Sequence, residues 1–104
     1  MNNKKYYEYS FAESILIEAH KHCIRNKEEI LSSELCGCFY CLSFFKPNQI
    51  VDWLKEDCTD TNSDNIYTAL CTCGIDAVIG SASDFPITKQ FMQDMHVRWF
   101  SIID

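Results

Sequence analysis

Residues 32–47 read SSELCGCFYCLSFFKP and set Cys36, Cys38 and Cys41 within six positions. A second segment, residues 69–80, reads ALCTCGIDAVIG and carries Cys71 and Cys73. How these thiols are used decides the fold. Cys38-Phe39-Tyr40-Cys41 is a C-x-x-C pair, and Cys71-Thr72-Cys73-Gly74 is a C-x-C-G pair. Two such pairs on separate tight turns are how a four-cysteine zinc site is usually assembled, each turn giving two thiolates. The expected ligands are Cys38, Cys41, Cys71 and Cys73 around a structural Zn2+. The second pair has one intervening residue where a strict zinc ribbon has two, so Cys36 stands as an alternative fourth sulfur. Two other uses stay open at this point: redox-active thiols, and small buried core residues.

A catalytic zinc keeps an open coordination position, usually with His or a carboxylate among its ligands. His20, His22 and His96 have no ligand spacing relative to a cysteine pair, and they are expected at the surface or its boundary. Cys23 falls on an apolar stripe and is expected in the core. Cys58 lies in a polar loop and is expected to be exposed and free.

Working outward, Phe11, Ile15, Ala19 and Cys23 repeat every four residues, which predicts a long helix over about 10–32. Ser10 and Glu13 have the spacing of a capping box. Gly37 interrupts the pattern at the first cysteine turn. Pro47 suits the start of a short helix with Ile50, Trp53 and Leu54 on its apolar side. Residues 57–65, DCTDTNSDN, read as an exposed loop. Residues 66–71 and 75–80 read as two strands of a hairpin with the second cysteine turn between them. Residues 88–100 form a last helix burying Phe91, Met92, Met95 and Trp99. The expected fold is a small α+β domain: long N-terminal helix, short helix, zinc-ribbon-like cysteine hairpin and C-terminal helix. The chain of 104 residues reads as one domain, 1–104, with the helix at about 10–32 and a cysteine-containing core at about 33–100.

Composition narrows the function classes. A hydrophobic fraction of 47% permits a core without staples. The N-terminal MNNKKYYEYS holds no apolar run of signal-peptide length, and no stretch approaches the roughly 20 apolar residues of a membrane helix. The expectation is a cytoplasmic protein with no membrane contact. Seven cysteines, an odd number, in a reducing compartment argue against a closed disulfide framework. The net charge of −6 and scattered Lys and Arg disfavour nucleic acid and favour a basic partner. Walker, nucleophile-elbow, zincin and dinucleotide motifs are absent. Asp57, Asp60 and Asp64 lack the Gly and Glu of a calcium loop.

The segments CGCFYC, FKPNQIVDWL, TALCTCGIDAVIG and FPITKQFMQDMHVRWF together resemble a family of small bacterial cytoplasmic proteins. Its pattern is a CxxC turn, an F-x-P-x-x-I-x-x-W segment, C-P-x-C-G-I-D-S-V-I-G, and a final P-I-T…M…W-F helix. The resemblance covers about residues 30–100. Cys38, Cys41 and Cys73 match family cysteines; Cys71 is displaced by the missing residue, and Ala77 stands where the family has Ser. Some similar proteins are immunity proteins encoded beside toxins of contact-dependent or other polymorphic toxin systems. The resemblance implies a non-enzymatic immunity protein that neutralises a basic, nucleic-acid-cleaving toxin domain. Glu56, Asp57, Asp60 and Asp64 are the candidate contacts with that toxin. A zinc-ribbon adaptor and a thiol-dependent enzyme are the alternatives.

Overall fold

The structure is a computed structural model and describes residues 7–56 and 66–100. The expected helix over 10–32 is divided. Helix α1 runs Glu13–His20, a 3-10 turn follows at Lys21–Cys23, and α2 runs Lys27–Leu31. Between them Ile24 is extended and Arg25 is left-handed at φ 48°. A buried asparagine is the reason. Asn26 Nδ2 donates to the carbonyls of His22 and Val78, both at 2.9 Å, and its Oδ1 accepts from Ala69 N–H at 3.0 Å. A continuous helix would carry the side chain away from these partners. Their satisfaction outweighs the four-residue periodicity, since unpaired buried polar groups are costly.

The expected Ser10 cap is also replaced. Helix α1 starts after Ala12, without a side-chain cap. The N–H groups of Ser10 and Phe11 donate instead to Asp94 Oδ2 at 2.8 and 2.9 Å. Asp94 is fully buried, and its Oδ1 accepts from Tyr7 Oη at 2.6 Å and Gln90 Nε2 at 2.9 Å. Four donors make a buried carboxylate tolerable. They tie the N-terminal segment to the last helix.

Among the described residues five strands follow: β1 Cys36–Cys38, β2 Phe44–Phe45, β3 Asp52–Lys55, β4 Tyr67–Leu70 and β5 Val78–Gly80. Helix α3, Lys89–Phe100, closes the described chain. One antiparallel sheet has the order β2-β1-β5, and β3 and β4 form a second. The expected short helix is a single 3-10 turn, Pro47–Gln49. Beyond it the chain extends into β3, with Trp53 opposite Ala69. Three apolar residues were too short a pattern to separate helix from strand, and β4 supplies the hydrogen-bonding partner. The expected hairpin of 66–71 with 75–80 does not form either: β4 pairs with β3, and β5 pairs with β1. The second cysteine turn therefore crosses between sheets. Asn26 joins the sheets by bonding Ala69 of β4 and Val78 of β5.

The fold is the expected small α+β domain, with an N-terminal and a C-terminal helix on antiparallel sheet. Its core gathers Leu16, Ala19, Ile30, Phe39, Val78, Ile79, Phe91, Met92 and Met95. Phe91, Met92 and Met95 are buried as the helical stripe requires, and Trp99 is partly buried. Helix α3 approaches β1 closely enough that a Cβ on Gly37 would stand 2.9 Å from Met92 Sδ. No helix among the described residues is long and apolar enough to cross a membrane.

Candidate metal centre

The strand pairing brings the two cysteine turns together. Cys38 lies opposite Val78, and Phe39 N–H donates to Ala77 O at 3.0 Å. The start of the first turn is thereby fixed beside the end of the second.

Each turn is folded by its own backbone. In the first, Leu42 N–H donates to Cys38 O at 2.8 Å and Cys38 N–H to Ser43 O at 3.0 Å. In the second, Gly74 N–H donates to Cys71 O at 2.8 Å and Cys71 N–H to Ile75 O at 3.1 Å. The residue after the second cysteine is left-handed in both, with φ 65° at Leu42 and 91° at Gly74. The missing residue of C-x-C is absorbed by a turn one residue tighter. The glycine takes that backbone without strain.

Cys38, Cys41, Cys71 and Cys73 converge, with all four Sγ atoms within 4.8 Å of one another. Cys41 and Cys71 are 3.5 Å apart, and Cys38 and Cys73 are 3.8 Å apart. Four sulfurs at zinc-like bond lengths of about 2.3 Å would have tetrahedral edges of about 3.8 Å. These residues can hold a metal ion. Cys36 is not among them; it is fully buried in β1, opposite Phe45 and Gly80.

Each turn presents one buried and one exposed thiol: Cys38 and Cys71 are buried, Cys41 and Cys73 exposed. Burial pushes the Cys38 thiol well above its ordinary value and also raises Cys73. Burial acts upward on Cys41 too. There the Ser43 hydroxyl and backbone, with Cys71, win and bring the thiol down to about 7. Ser43 Oγ lies 2.9 Å from Cys41 Sγ and 3.9 Å from Cys71 Sγ. Outside the cluster, burial pushes Cys23 and Cys36 up to about 11. Cys23 is in the core as expected, and its thiol donates to His20 O at 3.0 Å.

The histidines are engaged elsewhere. His96 Nδ1 lies 3.0 Å from Phe39 O, so α3 grips the first turn between its cysteines. Tyr40 meets Phe100 edge-on at 4.9 Å. His20 packs on the Trp99 ring at 4.0 Å, and burial lowers its pKa. His22 sits 3.0 Å from Glu29. Of the candidate contacts, Glu56 accepts from Thr68 Oγ1 at 2.7 Å and is half-buried in an internal tie. Asp57, Asp60, Asp64 and Cys58 lie outside the described residues. Sequence reasoning missed Asn26, Asp94 and Ser43; a polar residue inside an apolar stripe is the signal that Asn26 and Asp94 share.

Comparison with family models, curated proteins and solved structures gives no match for this chain.

Proposed function

We propose that the chain is a non-enzymatic protein-binding module closed by a structural zinc ion at Cys38, Cys41, Cys71 and Cys73. It acts in the cytoplasm as an immunity protein that covers a basic, nucleic-acid-cleaving toxin domain. The convergence of two thiols from each of two turns carries this reading. An all-sulfur donor set suits zinc, and four protein ligands leave no open position for catalysis. Once zinc is bound by four thiolates the site carries −2, which adds to an already acidic chain. Tyr40, Leu42 and Phe44, exposed on and just after the first turn, supply apolar contact area. Acidity speeds capture of a basic partner. The role as an immunity protein rests on the resemblance of the cysteine, Trp53 and Gly74–Gly80 segments.

Elemental analysis of purified protein should give one zinc per chain, and a strong chelator should unfold it. The product of the adjacent gene should co-purify when coexpressed, and the chain should protect cells from it. Zinc-free folded protein would remove the metal reading. Failure both to co-purify and to protect would remove the immunity role.

A further inference from the structure

We infer that Cys41 is an oxidation site for hydroperoxides, with Cys71 of the opposite turn as its resolving thiol. The two reactive requirements sit on different residues. Cys41 is exposed, so a peroxide can reach it; Cys71 is buried, so it meets only what already lies beside it. Their sulfurs are 3.5 Å apart. A second cross-turn pair, Cys38 with Cys73, is longer at 3.8 Å. Ser43 also distinguishes the first pair. Its hydroxyl shares a 2.9 Å hydrogen bond with Cys41 Sγ and lies 3.9 Å from Cys71 Sγ. It is a positioning residue that holds the exposed sulfur facing the buried one.

The chemistry balances with hydrogen peroxide as oxidant. The Cys41 thiolate attacks one peroxide oxygen, the O–O bond breaks, and hydroxide leaves, giving a sulfenic acid. The Cys71 thiolate then attacks that sulfur, the S–O bond breaks, and a second hydroxide leaves. Two thiolates are oxidised to one disulfide, and one peroxide is reduced to two hydroxides. The disulfide joins the same two turns as the metal site, so the covalent link replaces the coordinate one. A metal ion left with two of its four sulfurs is released. Only this last consequence rests on the zinc reading above; the disulfide does not.

The test uses the full chain carrying Cys58→Ser, folded as purified and with its zinc content measured, treated with stoichiometric hydrogen peroxide. Tandem mass spectrometry should find Cys41–Cys71 as the first disulfide, and a zinc indicator should register release in step with it. Cys71→Ser, treated with dimedone, should accumulate the adduct on Cys41. Because a ligand substitution also weakens the fold, Ser43→Ala is the second variant. Its disulfide should form more slowly, by about tenfold, the worth of one hydrogen bond. Its zinc content should stay at one per chain. A merely structural Ser43 would instead loosen the turn and leave the oxidation rate unchanged or raised. A first disulfide at Cys38–Cys73 or within one turn, or oxidation of Cys41 that never resolves, would overturn the assignment. The same disulfide forming in protein that folds and purifies without zinc would leave it standing and defeat only the zinc reading.

Discussion

The two cysteine turns do one job with different backbones. The first caps a hairpin, β1 to β2, within one sheet; the second crosses from β4 to β5 between two sheets. The first has two residues between its cysteines and closes on Leu42, while the second has one and closes on Gly74. Both put a left-handed residue after the second cysteine and bond the first cysteine's N–H to a carbonyl just beyond that residue, Ser43 O in one and Ile75 O in the other. Cysteine spacing is therefore not what the site requires. It requires a turn that aims two sulfurs the same way, and two lengths of turn satisfy that. The strain falls unequally, because Leu42 occupies a backbone region that costs a side-chain-bearing residue about 1–2 kcal/mol.

If zinc fills the cluster as proposed, the largest effect should come from removing it. Chelation, or Cys71→Ser, should cost on the order of 10 kcal/mol, the apparent worth of a structural zinc, against a whole-domain stability of about 5–15. Far-ultraviolet circular dichroism should report loss of structure. Cys73→Ser, at an exposed sulfur, should cost less than Cys71→Ser at a buried one. Equal losses would break the distinction between buried and exposed ligands.

Asn26→Leu acts on the crossing between sheets rather than on either turn. It leaves the N–H of Ala69 and the carbonyl of Val78 without this partner, and should cost about 3 kcal/mol in urea denaturation. Zinc affinity should fall with it, since β5 carries the exit of the second turn. Unchanged affinity would mean that the turns find each other without the sheets.

The sharpest test of the comparison is a reciprocal pair. Gly74→Ala should destabilise by about 1–2 kcal/mol, although nothing lies within 4 Å of the added Cβ, because φ 91° suits glycine. Leu42→Gly should be neutral or stabilising by up to about 1 kcal/mol. Both effects are readable from the denaturation midpoint of metal-loaded protein.

The smallest effect concerns pH. Burial against Trp99 lowers the His20 pKa, so the folded state favours the neutral ring. That contribution is fully present above the unfolded value of about 6.5 and is lost as pH falls through the lower folded value. His20→Phe should flatten this part of the stability profile between pH 7.5 and 5 relative to the parent.

Much of this was legible from local pattern. The four cysteines announced themselves by pairing, and α3 by its stripe of Phe91, Met92 and Met95. Both signals are short-range: ligands of one turn are near neighbours in sequence, and a helix face repeats within one segment. The N-terminal helix shows where such reading stops. Phe11, Ile15, Ala19 and Cys23 keep a helical period, yet Asn26 breaks the helix because its partners are Ala69 and Val78, more than 40 residues away.

The sequence by itself determined that cysteines come in two paired turns, and that the chain is a small α+β domain. Only the tertiary structure decided that β4 and β5 belong to different sheets, that Cys36 is core and outside the cluster, and that Cys41 faces Cys71 with Ser43 beside it. The reason is physical: pairing of strands and burial of a thiol depend on which distant backbone groups satisfy each other. No local spacing records that choice.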